Sequence, residues 1–95
     1  MVKALIKRVV PQDKAREILP LFKRMRALAM EQPGYISGET LRNYNEPDEY
    51  LVISTWKSAD DWQRWLESQQ RQEIQEQIDS ILQGNTEYSL YYHGL

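Results

Sequence analysis

Apolar and polar residues alternate along four short stretches of the chain, a pattern that predicts β-strands. The stretches comprise residues 2–10, 35–44, 49–56 and 86–93. Pro11 closes the first strand, because proline lacks the backbone N–H that a strand ladder needs. Ser37 and Gly38 interrupt the second strand. The turn formers at residues 45–48 separate the second and third strands, which are therefore predicted to pair as a hairpin.

Between the first and second strands, apolar residues recur at spacings of three and four, as on the buried face of an amphipathic helix. They are Ile18, Leu21, Phe22, Met25, Leu28 and Ala29. Asp13 is predicted to cap this helix, which extends to about Gln32 before Pro33 and Gly34. Pro20 lies on the opposite face, where water can replace the lost hydrogen bond, so we expect either a kink or a helix restart there.

A second helical region lies between the third and fourth strands. Ser58 is predicted to cap it and Ala59 to begin it, with acidic residues in the first turn. Its apolar residues form two sets: Trp62, Trp65 and Leu66, then Ile74, Ile78, Ile81 and Leu82. The second set lies about 120° further around the helix. Because one straight helix cannot bury both sets against one surface, we expect a bend or break near residues 68–70. The helical part is predicted to end at Gly84 and Asn85.

The order βαββαβ predicts one α+β domain over residues 1–95, with a ferredoxin-like fold in which helices cover one face of a four-stranded antiparallel sheet. Both faces of that sheet carry apolar residues. The third strand places Tyr50, Val52 and Trp56 on one face, and Leu51 and Ile53 on the other. An antiparallel sheet with one wet face would instead alternate with polar residues. We therefore expect the uncovered face to pack against a second copy of the chain in a homodimer.

The composition is that of a globular domain, with 41% apolar and 27% charged residues in a chain of 95. A net charge of -2, without any basic block, argues against nucleic acid as a partner. The chain has no Cys and a single His, which argues against a tight transition-metal site. No apolar run reaches the ~18 residues of a membrane span, and charges interrupt the N-terminus. We expect a cytoplasmic protein without a membrane partner.

Three motifs together resemble the antibiotic biosynthesis monooxygenase (ABM) family. They are Gln32-Pro33-Gly34-Tyr35-Ile36-Ser37-Gly38-Glu39, then Trp56-Lys57-Ser58, then Asp61-Trp62-Gln63-Arg64-Trp65-Leu66. The resemblance covers nearly the whole chain. It implies a dimeric α/β barrel in which each subunit holds a pocket between its sheet and its helices. It also implies oxidation of electron-rich aromatics, such as phenols or quinols, without a metal or an added cofactor.

The family's haem-degrading branch carries an asparagine on the first strand, a tryptophan on the second helix and a histidine about three turns later as iron ligand. Trp65 matches the tryptophan, but the first-strand position falls at Lys7 and the histidine position at about Gln75. Because glutamine cannot ligate haem iron as imidazole does, the resemblance does not extend to haem degradation. Quinol-oxidising and signal-processing members commonly have a histidine where Gln70 stands.

Trp56, Trp62 and Trp65 are the candidate catalytic residues. Polyketide-oxidising members of the family carry a tryptophan at the end of the third strand, which Trp56 matches, and a tyrosine early in the helix, which Trp62 replaces. An indole donates a hydrogen bond but cannot relay a proton at neutral pH. If the three rings line a cavity, a flat phenol or quinol could stack there. Alternatively they fill the core, as large apolar residues at positions i and i+3 usually do.

Four further residues are candidates for the substrate pocket. Arg42 and Asn43 on the second strand could supply polar contacts, of which a pocket needs only a few. Tyr50 could orient a substrate, although tyrosines are more typical of interfaces and cores. His93 is suited to proton transfer near neutral pH, but its position near the end of the last strand is typical of surface or interface packing.

These observations leave two candidate functions. The first is a cofactor-independent monooxygenase of the ABM type that acts on a small aromatic, quinol or polyketide-like substrate. The alternative is a non-catalytic, dimeric ligand-binding or accessory domain with the same fold. Neither function calls for a cofactor or a metal.

Overall fold

The computed structural model describes residues 1–84 and 86–95. Over these residues, strands and helices alternate in the predicted order, with the second helical region divided in two. The strands are β1 Val2–Val9, β2 Tyr35–Arg42, β3 Glu49–Trp56 and β4 Thr86–Tyr92, and the helices are α1 Ala15–Ala29, α2 Ala59–Glu67 and α3 Gln69–Leu82. All strand pairs are antiparallel, in the sheet order β2-β3-β1-β4. The α+β ferredoxin-like fold is therefore confirmed.

The alternation of residues along β1 shows how the two faces of the sheet divide. Ala4, Ile6 and Arg8 are buried against the helices, whereas Lys3 and Lys7 lie on the opposite face. We call these the inner and outer faces of the sheet. The register pairs Ala4 with Ser54, Ile6 with Val52 and Arg8 with Tyr50, so alternate β3 residues share the inner face. The outer face keeps an apolar patch made of Leu5, Leu41, Leu51 and Ile53.

The predicted start of α1 at Asp13 is wrong. Residues Gln12–Lys14 form one turn of 3-10 helix, and α1 begins at Ala15 without a side-chain hydrogen bond at its cap. The helix continues through the exposed Pro20, so no restart occurs there. It ends at Ala29 rather than near Gln32, because the chain tightens into a turn in which the Glu31 N–H donates to the Leu28 carbonyl.

The predicted break in the second helical region is confirmed, and it lies at Ser68. The backbone of Ser68 is extended, with ψ 145°, and it therefore separates α2 from α3. Its hydroxyl accepts a hydrogen bond from the Arg71 N–H at 3.2 Å, which caps α3. Ser58 caps α2 in the same way, through the Asp61 N–H at 3.1 Å. Serine therefore starts both helices, and each can bury its own apolar stripe.

The hairpin of β2 and β3 forms as predicted, although β2 ends at Arg42 instead of residue 44. Asn43 ends it, because its side-chain oxygen accepts hydrogen bonds from the backbone N–H groups of Asn45 and Glu46. β4 stops at Tyr92, one residue before its predicted end. The predicted helix terminus at Gly84 and Asn85 falls partly outside the described residues, since Asn85 is not among them.

Two of the motifs noted in the sequence meet in space. The Lys57 N–H, after β3, donates a hydrogen bond of 2.8 Å to the Gly34 carbonyl, before β2. Gly34 has φ +87°, and a Cβ at this position would collide with the Asp61 side chain. Glycine is therefore required both for its backbone conformation and for the close approach of α2.

Candidate functional site

A cavity lies between the inner face of the sheet and the helices α1 and α2. Its volume is about 60 Å³, and it opens to solvent through a wider groove. Trp56 from β3 and the pair Trp62 and Trp65 from α2 form much of its wall. Phe22 and Met25 contribute the wall on the α1 side. The three candidate catalytic tryptophans therefore converge on one cavity.

Trp56 is held in a defined orientation. It is fully buried, and its indole N–H donates a hydrogen bond of 2.9 Å to the Ser54 hydroxyl. The Tyr35 ring packs edge-on against it at a centroid distance of 5.4 Å, and the Trp62 ring tilts against it at 5.9 Å. Such aromatic contacts, together with the satisfied N–H, fix the ring plane that faces the cavity.

Trp62 and Trp65 are one turn apart on α2 and are both buried. The Trp62 ring lies 6.4 Å from that of Tyr88 on β4 and so bridges the cavity wall to the last strand. The sequence left two alternatives for these residues, cavity lining and core filling, and each describes part of their environment. They belong to the buried core, and they also border the cavity.

The other predicted pocket residues lie outside the cavity lining. Arg42 donates from Nε to the Pro47 carbonyl at 2.9 Å, and Asn43 bonds the Glu49 side chain, so both hold the β2–β3 hairpin together. Tyr50 is buried behind the cavity, where it packs edge-on against Phe22 at 6.0 Å.

His93 lines a different depression, near the end of β4. Met1, Lys3, Thr55, Tyr91 and Tyr92 form the rest of its lining, and its volume is about 110 Å³. Lys3 donates a hydrogen bond to the Thr55 hydroxyl at 3.0 Å there. The histidine is thus remote from the tryptophan cavity, and its side chain is exposed.

Two buried arginines, which the sequence interpretation missed, stand beside the tryptophans. Arg8 on β1 is 3% exposed and lines the cavity, and Arg71 on α3 is 2% exposed. Arg8 donates from Nη2 to Oε1 of Gln75 at 2.8 Å, and Arg71 donates from Nη2 to the Tyr88 hydroxyl at 3.0 Å. The sequence did contain a signal that both arginines are buried. Arg8 is on the same face of β1 as the buried residues Ala4 and Ile6, and Arg71 lies one helical turn before the buried Ile74.

Burial changes the acid–base behaviour of Arg8. Loss of hydration lowers the pKa of its guanidinium to about 10, and the neighbouring Arg71 adds to the decrease, while Tyr88 and Asp79 oppose it. The group therefore keeps its positive charge at neutral pH. A cationic donor in an apolar wall is the strongest electrostatic feature of the cavity.

The positions compared with the haem-degrading and quinol-oxidising branches have other roles. Lys7 lies on the outer face of the sheet and pairs with Glu87 at 3.2 Å, so the β1 residues that reach the cavity are Ile6 and Arg8. Gln75 is engaged with Arg8 and also donates to Asp79. Gln70 is exposed on α3.

Across residues 1–84 and 86–95, no group of three metal-ligating His, Cys, Asp or Glu side chains is present. Over the same residues, no helix combines the length and the apolar character needed to cross a membrane.

The chain matches one family model, described as antibiotic biosynthesis monooxygenase, over residues 1–77. A curated relative, Protein SchA of Streptomyces halstedii, is 26% identical over 68 residues. That match covers 72% of this chain and 18% of the relative, so the chain spans less than a fifth of the protein it matches.

Solved structures share the fold. A variant of SnoaB from Streptomyces nogalater, described as a cofactor-independent oxygenase, superposes with a TM-score of 0.85 at 21% identity, covering 99% of this chain and 93% of that one. A conserved protein from Methanosarcina mazei superposes with a TM-score of 0.86 at 20% identity, covering 95% and 89%.

Proposed function

Because the chain belongs to the antibiotic biosynthesis monooxygenase family, we propose that it is a cofactor-independent monooxygenase for a small aromatic, quinol or polyketide-like substrate. The observation that carries the proposal is the convergence of Trp56, Trp62 and Trp65 on one cavity beneath the helices. The description of SnoaB as a cofactor-independent oxygenase supports it through a shared fold.

The cavity supplies the surroundings that such a reaction needs. Its walls are mostly aromatic and aliphatic, with Ser54 and Arg8 as buried polar neighbours. An electron-rich ring stacked on the indoles would be shielded from water, which strengthens the electrostatic interactions that it makes. In the oxidation of a phenol to a para-quinone, the substrate supplies all the electrons. One atom of O2 enters the ring and the other leaves as water, so that ArH(OH) and O2 give a quinone and H2O.

The size of the cavity sets a condition on binding. An apolar cavity of about 150 Å³ holds benzene, whereas this cavity measures about 60 Å³. A ring would therefore enter fully only if wall side chains such as Met25 or Phe22 moved. Met25 is suited to this, because its unbranched thioether chain adapts readily.

A second candidate function remains, that of a binding or accessory domain without turnover. The observation that favours it is the lack of a general base among the described cavity residues. The acidic residue named in the lining, Glu39, pairs with Ile53, so its exposed side chain lies on the outer face of the sheet. A substrate acidic enough to bind as its own anion would not need a base. The same fold could therefore oxidise such a substrate and only bind a neutral one.

We also propose that the protein is a homodimer that buries the outer face of the sheet. The support is the patch of Leu5, Leu41, Leu51 and Ile53, in which Leu41 remains 44% exposed. A single chain of this size buries only about 60–65% of its unfolded surface. Pairing two identical patches by a twofold axis would remove more apolar surface from water.

Oxygen uptake tests the proposed activity. The purified chain, treated with a chelator, is expected to consume O2 with at least one member of a panel of quinols and phenolic polyketides, and Trp56→Phe is expected to slow that reaction. Tight binding of one panel member without any uptake above buffer would favour the accessory function. The exposed Tyr44 provides a control, since Tyr44→Phe lies far from the cavity and should leave the rate unchanged.

A further inference from the structure

Arg8 and Arg71 are two buried cations without an acidic partner. In the part of the chain that the structure describes, the ion pairs within 4.0 Å join Lys7 to Glu87 and Arg64 to Asp61, and neither buried guanidinium takes part in one. Both Nε atoms are buried and lack a hydrogen-bond partner. Proteins rarely bury a charge in this way, because its lost hydration must be replaced by a counter-charge or by a full set of hydrogen bonds.

The groups around Arg8 leave most of its charge uncompensated. Gln75 accepts its Nη2–H, and the Gln75 amide in turn donates to Asp79 at 2.8 Å and to the Thr86 hydroxyl at 3.0 Å. The Asp79 carboxylate therefore contacts the Gln75 amide instead of forming an ion pair with Arg8, and acts on Arg8 only at longer range. The Phe22 ring lies 5.0 Å from the guanidinium carbon, a cation–π contact that is weaker than an ion pair.

Arg71 adds a second positive charge behind the same wall. Its guanidinium lies over the Trp62 ring at 5.9 Å and over the Tyr88 ring at 5.2 Å, and the Tyr88 hydroxyl accepts its hydrogen bond. The net electrostatic effect inside the cavity is therefore positive.

We propose that Arg8 is the counter-ion for a substrate that binds as its anion, an acidic phenol or hydroxyquinone whose ionised oxygen reaches the guanidinium. This inference rests on the proposed function and names the chemical class of its substrate. The Arg8 guanidinium is a charge-assisted donor on a residue that lines the cavity, and its Nε–H has no partner within the described protein. An oxygen-sized group fits a space of about 60 Å³, while the ring to which it is attached lies in the wider groove.

The assignment also explains why the described cavity residues include no general base. A phenolate or enolate is the form of an electron-rich aromatic that gives up an electron to O2 most readily. Arg8, backed by Arg71, favours that form by lowering the pKa of the bound hydroxyl group, as a nearby positive charge does for any acid. The cavity would thus select an ionised substrate instead of deprotonating a neutral one.

A matched pair of ligands tests the proposal without requiring turnover. The probe is 2-hydroxy-1,4-naphthoquinone, which is ionised at neutral pH, and its comparison is the neutral 2-methoxy ether. The full-length chain is expected to bind the anion about tenfold or more tightly than the ether. The visible absorbance of the bound anion should persist to a pH about one unit lower than in buffer. Equal affinities, or no binding of the anion at millimolar concentration, would contradict the proposal.

Variants locate the charge that is responsible. Arg8→Met is expected to abolish the preference for the anion, whereas Arg24→Met, at an exposed position on α1, removes the same charge and should retain it. If Arg8→Met does not fold, NMR of the wild-type chain supplies the answer. The Arg8 Nε–H resonance should shift with the anion and not with the ether, and an unmoved resonance would overturn the assignment. A preference for the anion without oxygen uptake would instead refute the proposed function and leave the anion site standing.

Discussion

Arg8 and Gln75 join the first strand to the last helix through a hydrogen bond of 2.8 Å between Nη2 and Oε1. The bond crosses the middle of the domain, and it gives the buried guanidinium one of its few polar partners.

Removing this acceptor should destabilise the fold. Gln75→Leu is expected to lower the free energy of unfolding by about 1.5–3 kcal/mol, because a hydrogen bond to a buried charged group is lost. Urea unfolding measures the change. In an Arg8→Met background, Gln75→Leu should cost much less, since no buried charge remains to be satisfied. An equal cost in both backgrounds would show that the two side chains are not coupled.

The cavity should respond to the size of Met25. Met25→Ala is expected to lower the free energy of unfolding by about 2 kcal/mol, near the low end for buried methionine, because the side chain already borders empty space. The same change should tighten binding of the neutral naphthoquinone ether, since its ring no longer has to displace the side chain. Met30→Ala removes an exposed methionine and serves as control. Unchanged affinity in Met25→Ala would show that the ring does not enter beside α1.

The start of α2 should be sensitive to acid. Hydrogen bonds from Arg64 and Ser58 lower the pKa of Asp61 below its ordinary value of 3.8. The folded state therefore binds this proton less readily than the unfolded state. The resulting stabilisation is present above about pH 4 and is lost as the pH falls through the folded-state pKa.

Asp61→Asn tests this interaction. The variant should be less stable than the wild type at neutral pH, and the difference should shrink as the pH drops below 3.8. Thermal unfolding at several pH values provides the measurement. Ser68→Ala, which removes the cap of α3, a helix without an acidic residue in its first turn, should cost about 1 kcal/mol at every pH in that range. A difference between Asp61→Asn and wild type that does not change with pH would rule out the carboxylate as its source.

The outer face of the sheet should control assembly. Leu51→Glu places a charge in the centre of the apolar patch and is expected to give a mass of one chain by light scattering, where the wild type gives two. Leu19→Glu makes the same replacement at an exposed position on α1 and should leave the dimer intact. A wild-type mass of one chain at micromolar concentration would refute the proposed homodimer.

Much of the fold was predictable because local patterns and packing agree. The apolar stripes that contain Trp62 and Ile74 point in different directions around the helix axis, so the helix had to break between them. The break lies at Ser68. The start of α1 was less predictable, since Asp13 has the chemistry of a cap but lies in a 3-10 turn where its side chain caps nothing.

The site was predictable only in its apolar half. Three tryptophans in the predicted pattern do border the cavity. Arginine is ordinarily a surface residue, so Arg8 was not among the predicted site residues, and Lys7 was the first-strand residue compared with the family. The alternation of side chains along β1 distinguishes Arg8 from Lys7, because Arg8 lies on the same face as the buried Ala4 and Ile6. Arg42 could not be excluded from sequence, since its hydrogen bond to Pro47 depends on the conformation of the hairpin.

The proposed function requires that the protein transfer an oxygen atom from O2 to an aromatic substrate bound beside Trp56. Mass spectrometry of the product formed under isotopically labelled O2, in the presence of a chelator, tests this most directly. One labelled oxygen atom is expected in each product molecule and the other in water. A product without label, or a reaction that stops when metals are removed, would contradict it.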